Sequence, residues 1–356
     1  MLDVLKDWYH RHFSDPQAII LLLVIVGSLA VVLLLGDILA PVLVALISAY
    51  LLEGVVGAME RHRIPRVLAV AAVLLAFLLL CLLMIFGLVP LLSKQLTQLF
   101  GEIPRMIAAG QDYLLRLPEL YPAAFTVAQI NEIISAVRFE VGRFGQSILS
   151  FSLANVINLF AFAVYAVLVP LMVFFALKDK HKLLAWAADF LPKRRELSWQ
   201  VWQEVDQKIA NYIRGKFIEI AIVWVATFVT FAVMGLNFSL LLSFLVGISV
   251  IIPFVGAVAV TLPVALIAFF QWGFEAQLGY LLLAYLVVQI LDGNVLVPLL
   301  FSEVVNLHPI AIIVAVLFFG GLWGVWGIFF AIPLATLIQA VLNAWPRQRG
   351  SAPPSR

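Results

Sequence analysis

Charge is scarce in this sequence. Only 12% of its 356 residues are Asp, Glu, Lys or Arg, while 64% are hydrophobic. Soluble domains average about 25% charged and 45–50% apolar residues. With a mean hydropathy of +1.10, that apolar surface is stable only in lipid, which excludes a soluble enzyme, a nucleic-acid-binding module and a disordered chain. Cysteine is scarcer still. Cys81 stands alone inside an apolar run, so an intrachain disulfide and a multi-cysteine metal site are excluded, and it is expected to be a small buried hydrophobe. Catalytic patterns are missing too. No Gly-Lys-Ser/Thr phosphate loop is present, the five histidines form no H-E-x-x-H or H-x-x-x-H pair, and no serine sits in G-x-S-x-G. Nor do two helices carry the matched carboxylates of an intramembrane protease. The expectation is a protein that is no enzyme, binds no cofactor and does not use ATP by itself.

What the sequence has instead is long apolar runs. Residues 18–35 and 38–52 read as two membrane helices with a tight turn at Gly36-Asp37, because the first run exceeds a signal-peptide core and lacks a cleavage site. Further runs at 67–92, 154–177 and 217–234 each match the roughly 20 residues of a span. The 22 Lys and Arg separate into groups. Two precede the first span, three lie at 61–66, nine at 178–216 and three at the end, while five are spread over 93–153 against five acidic residues. The positive-inside rule places the first four groups, and both termini, in the cytoplasm and 93–153 outside. The expected organisation is three N-terminal helices (1–92), an external amphipathic segment (93–153) broken by Pro104, Pro118 and Pro122, and a fourth helix (154–177). A cytoplasmic basic amphipathic segment (178–216), a core (217–346) and a cytoplasmic tail (347–356) follow. The two amphipathic segments suit interfacial anchoring or, alternatively, an oligomer contact or gate.

The core contains no Lys or Arg, so length must orient it. Region 239–270 is interrupted at Pro253-Phe254-Val255-Gly256, and region 308–345 at Gly320-Gly321-Leu322-Trp323-Gly324. Their first arms are short, which favours re-entrant helical hairpins over pairs of full crossings. The two regions also resemble each other at an offset of 69–70 residues. Asn237 pairs with Asn306 and Pro263 with Pro333, and each region follows one span (217–234 and 278–297). An inverted repeat with broken helices is a transporter architecture whose breaks mark the binding site.

Ionisable groups inside a bilayer are expensive and need a reason. Asp292 follows an apolar run directly, and Asp292-Gly293-Asn294 either unwinds a helix, lines a polar cavity or forms a surface loop. Glu219, three residues past Lys216, is expected near the headgroups with a structural role or as a second coupling carboxylate; Glu275 lies in a polar turn. Gly320, Gly321, Gly324 and Gly327 suit close helix packing, and at a hairpin tip they and Pro253 and Gly256 can expose backbone to a polar solute.

These residues carry a family resemblance. Asp292-Gly293-Asn294-Val295-Leu296-Val297-Pro298, Val305-Asn306-Leu307-His308-Pro309, Gly320 to Gly327, Ala331-Ile332-Pro333-Leu334-Ala335, Asn211 to Lys216 and Ile252 to Gly256 resemble the signature of the autoinducer-2 exporter family. Phe13 to Gln17 and Leu51-Leu52-Glu53 resemble its permease branch. The resemblance covers nearly the whole chain. It implies an all-α, polytopic bacterial inner-membrane protein of about eight membrane segments, assembled as a homo-oligomer, that exports a small polar solute without ATP. Some members are linked to the autoinducer-2 signal and others look like cation/proton antiporters. The expected function is therefore a secondary transporter using Asp292, Asn294 and Glu219 for substrate or coupling, with tips at Pro253, Gly256, Gly320, Gly321 and Gly324 and no metal. The alternatives are a monovalent cation/proton antiporter and a non-transporting membrane scaffold.

Overall fold

The computed structural model describes residues 36–120, 126–154, 159–189, 196–253, 255–302 and 307–344, together with Gly27 and Leu34. Among the described residues every regular element is helical. Six helical segments are long and apolar enough to cross a membrane: Ile38–Arg61, Arg66–Leu115, Val205–Val233, Val255–Trp272, Ala276–Phe301 and Pro309–Ala340. The expected first span, 18–35, lies outside the described residues except for Gly27 and Leu34.

Helices α1 (Gly36–Arg61), α2 (Arg66–Leu83) and α5 (Leu159–Lys178) form an N-terminal bundle. All three are too uniformly apolar for amphipathicity to choose the packed face. Small side chains choose it: Ala45, Ala49 and Val56 of α1 meet Ala69, Val70 and Val73 of α2 and Val173 and Leu177 of α5. At one end the bundle is tied by charge. Arg66 donates to the Leu177 carbonyl from Nε (3.0 Å) and Nη2 (2.6 Å), closing the C-terminus of α5. The same guanidinium bridges Glu60 at 2.9 Å and Glu53 at 3.1 Å, and Lys180 reaches Glu53 at 3.2 Å.

After α2 the helix widens into a π turn (Met84–Leu88) and continues as α3 (Val89–Leu120), followed by α4 (Val127–Ala154). The prolines expected to break this segment do not: α3 runs through Pro104 and Pro118. Pro104 lies on the exposed face of α3, where bending the helix disturbs no packing. Pro122 lies outside the described residues. Cys81 is half-buried rather than buried.

The C-terminal bundle is built on α7 (Glu196–Val233), which follows the short α6 (Lys180–Asp189). It continues with α8 (Ser239–Ser249), α9 (Val255–Trp272), α10 (Ala276–Leu291), a second π turn (Asp292–Leu296), α11 (Val297–Phe301) and α12 (Pro309–Ala344). Its core gathers Val223 and Phe231 of α7, Leu242 and Val246 of α8, Val264 and Ala268 of α9, and Leu281 and Tyr285 of α10. No break occurs at 216/217, where a cytoplasmic segment was expected to give way to a span. The sequence reading placed that boundary at Lys216, but the helix carries this residue onward as a buried one.

Helix α8 is only 11 residues long, roughly 17 Å, and α9 returns beside it after a turn that begins at 250–253. Gly256 is obligatory there, because a Cβ would strike the Ser249 carbonyl. Helix α12 reverses at Gly324, whose φ of 58° and ψ of −135° only glycine adopts readily. Ala315 and Ala331 consequently share one apolar cluster, although a straight helix would hold them about 24 Å apart. Gly327 is the counterpart of Gly256: its Cβ would strike the Phe319 carbonyl. Helix α3 lies across the far ends of this bundle. Gln95 accepts a hydrogen bond from the Leu241 N–H (2.8 Å) at the start of α8, and the Tyr113 ring lies 5.5 Å from Phe269 of α9.

A buried charge cluster where the broken helix ends

Lys216 and Glu219 stand three residues apart on α7, one turn of the same face. Their charged atoms are 2.5 Å apart, and the residues are only 4% and 2% exposed. They lie well inside the Val205–Val233 segment, Lys216 about 25 Å along the helix from its Val233 end. Glu219 is thus enclosed by protein. Lys216 also donates to the Val250 carbonyl at 3.1 Å. That carbonyl closes α8, so the ammonium satisfies a C-terminal group with no partner in its own helix and sits at the negative end of the helix dipole. The Phe301 ring of α11 covers the ammonium at 5.1 Å to its centroid, a cation–π contact. One lysine thus joins α7, the broken end of α8 and α11.

Asp292 completes the cluster. It is partly buried and lies within electrostatic reach of both Lys216 and Glu219. Its Oδ1 is buried without a hydrogen-bond partner. Asp292-Gly293-Asn294 neither unwinds the helix nor forms a surface loop; it opens a π turn. Among the described residues both π turns end two residues before a proline, Pro90 and Pro298. A proline ring clashes with the carbonyl four residues back, and shifting the hydrogen bonds to i→i+5 relieves that clash. The sequence therefore places the π turn, and the turn places Asp292.

The residues singled out from sequence are only partly brought together. Glu219 and Asp292 converge on Lys216. Asn294 does not: it faces outward, and its Nδ2 donates to the Ile290 carbonyl of its own helix at 3.0 Å. Pro253 and Gly256 flank the turn whose first carbonyl holds Lys216. Beside that turn, Ile251 packs with Phe329 and Ile332, on the part of α12 that follows Gly324. Gly320, Gly321 and Gly324 do not join the cluster, and Trp323 among them lies against Gly36 at the start of α1. Tyr212, one turn below Lys216, donates to the Phe329 carbonyl at 3.1 Å and fixes α7 to the second arm of α12.

Sequence reasoning missed Lys216, which it counted among the cytoplasmic basic residues. The signal was a Lys-x-x-Glu pair at the edge of an apolar run, since i,i+3 pairing neutralises a charge that could not enter lipid alone. A second concavity, a cleft of about 780 Å³, lies between α3 and the turn before α8, lined by Gln98, Glu102, Arg105, Asn237, Phe238 and Gln271 among others.

These features, several apolar spans, a helix reversed at Gly324 and a buried ionic cluster at a helix break, are those of a polytopic helical membrane protein. The sequence matches the AI-2E family transporter model over residues 19–347, and the chain belongs to that family. It is similar to a protein of Escherichia coli (strain K12) that carries the name permease PerM. The two are 46% identical over 346 residues, 97% of this chain and 98% of that protein. YueF of Bacillus subtilis (strain 168), named a transport protein, is 26% identical over 92% of both chains. The AI-2 transport protein TqsA of Escherichia coli (strain K12) is 23% identical over 90% of this chain and 91% of its own. The family and these names are those of multi-pass membrane transporters rather than enzymes.

Proposed function

We propose that the chain is a secondary transporter that exports a small polar, uncharged or weakly charged solute across the bacterial inner membrane without ATP, with both termini in the cytoplasm. The observation that carries this reading is the Lys216–Glu219–Asp292 cluster at the broken end of α8. A buried ionic group is retained against its desolvation cost where it has work to do. In the proposed mechanism α8–α9 and α12 act as re-entrant hairpins, and rearrangement at Val250 opens and closes the path. Asp292, with an unpaired oxygen, supplies the polar contact. The repeat reading gains support from the two glycine contacts. Ser249 against Gly256 and Phe319 against Gly327 recur 70 and 71 residues apart, as Pro263 and Pro333 recur 70 apart. Assembly as a homo-oligomer would give the outward amide of Asn294 a partner that lipid lacks.

A second reading, exchange of a monovalent cation for a proton, rests on the balance of charge in the cluster: two carboxylates surround one ammonium, leaving room for one more cation. Efflux from loaded proteoliposomes tests the first reading, and dye-reported proton movement on adding sodium or potassium tests the second. In either assay Asp292→Asn lowers the rate at least about tenfold, the scale of one lost charged contact. Wild-type rates in that variant would remove Asp292 from the mechanism.

A further inference from the structure

Seven buried side-chain polar atoms lack a hydrogen-bond partner among the described residues, and their distribution is uneven. Six are Glu219 Oε2, Trp224 Nε1, Thr227 Oγ1, Tyr285 Oη, Gln289 Nε2 and Asp292 Oδ1; the seventh is Gln111 Nε2, on α3. All six belong to α7 or to α10 and its π turn, but Trp224 turns to α8, its ring 5.6 Å from that of Phe244, which leaves five for the seam between α7 and α10. Of these only Glu219 Oε2 has an ionic partner, Lys216.

The two helices run side by side in opposite directions. Phe231 of α7 meets Tyr285 of α10 with ring centroids 5.8 Å apart, and about three turns further along α7 and two along α10 Glu219 comes within electrostatic reach of Asp292. Thr227 and Gln289 fall between these two levels. Tyr285 Oη faces Thr261 and Gln289 yet completes a hydrogen bond with neither. Thr227 is wholly buried and Tyr285 is 3% exposed, so bulk solvent reaches neither from outside. Buried polar groups in folded proteins are almost always satisfied, by protein or by internal water. A row of unsatisfied ones of mixed type, with the amide donating, the hydroxyls doing either and the carboxylates accepting, suits molecules that donate and accept at once.

We propose that the α7–α10 seam is a hydrated file, a row of sites for water and for small neutral hydroxylated molecules, reaching from Tyr285 to the Lys216–Glu219–Asp292 cluster. With about three hydrogen bonds per buried water, a few molecules satisfy the row. The file deepens the transport reading and rests on it only in being named a path; hydration itself is measured without any transport.

The test compares two tyrosines in the wild-type protein. Tyr212 and Tyr285 are 1% and 3% exposed, but Tyr212 donates its hydroxyl proton to the Phe329 carbonyl, whereas Tyr285 has no partner. Radiolytic hydroxyl-radical footprinting of purified protein in nanodiscs labels side chains that touch bound water. Tyr285 is expected to oxidise several-fold faster than Tyr212, and equal rates for the two tyrosines would overturn the file. A second measurement uses Cys81→Ser, which removes the only cysteine, with Thr227→Cys or, for an apolar site equally buried, Val264→Cys. A thiol proton exchanges with bound water, so on transfer to D2O the S–H of the cysteine at 227, followed by its infrared stretch, is expected to exchange several-fold faster than that at 264. Equal exchange would contradict the proposal while leaving transport by the protein to be decided on its own assay.

Discussion

Two cations in this molecule do the same job in different ways. Arg66 and Lys216 each dock on the carbonyl that closes a helix, Leu177 for α5 and Val250 for α8, and each bridges to carboxylates. Around Arg66 everything is paired: the guanidinium spends its fork on one carbonyl and on Glu53 and Glu60, and Lys180 adds a further bridge. Its side chain is 19% exposed, at the end of the N-terminal bundle. Around Lys216 pairing is incomplete and burial nearly total. The ammonium holds Glu219 closely, while Asp292 remains in reach with an unpartnered oxygen. Arginine's rigid, planar donors suit a closed joint; the rotatable ammonium of lysine suits one that can exchange partners. The N-terminal bundle is therefore read as an anchor and the C-terminal bundle as the working part.

Removing Lys216 sharpens that contrast most. Lys216→Met leaves Glu219 and Asp292 buried without their cation and is expected to cost about 3–5 kcal/mol, measured as lost thermal survival in detergent by size-exclusion chromatography. Adding Glu219→Gln should recover a large part of that loss, because the penalty comes from the uncompensated carboxylate. A smaller effect is expected at the reversed helix. Gly327→Ala forces a Cβ into the Phe319 carbonyl and should cost about 1–3 kcal/mol, whereas Gly279→Ala, with open space around it, should be neutral or stabilising by up to about 1 kcal/mol. The smallest change is expected at the anchor. Arg66→Lys keeps the charge but loses the fork, and should cost about 1 kcal/mol without altering the transport rate of the folded protein.

Much of this arrangement is legible in the sequence because glycine and proline write it there. The reversals fall at Pro253–Gly256 and Gly324, where side chains would collide with backbone or force a left-handed conformation. Asp292 was marked by its apolar surroundings, and Pro298 explains the π turn that positions it. Pairings across 34 to 117 residues were not legible. Lys216 with Val250, Lys216 with Asp292 and Tyr212 with Phe329 depend on how the helices pack. Lys216 itself was passed over because a basic residue beside other basic residues looks like one more topology charge until its carboxylate partner is recognised. That Asn294 faces away from the cluster was not legible for a related reason: each residue along a helix turns a side chain by about 100°, so a neighbour of Asp292 can face outward.

Efflux of preloaded small polar metabolites from proteoliposomes, compared between wild type, Asp292→Asn and Arg66→Lys at equal amounts of folded protein, bears most directly on this division of roles. The account predicts that Asp292→Asn loses most of the efflux and that Arg66→Lys keeps it. Wild-type efflux in Asp292→Asn, together with a loss in Arg66→Lys, would contradict it.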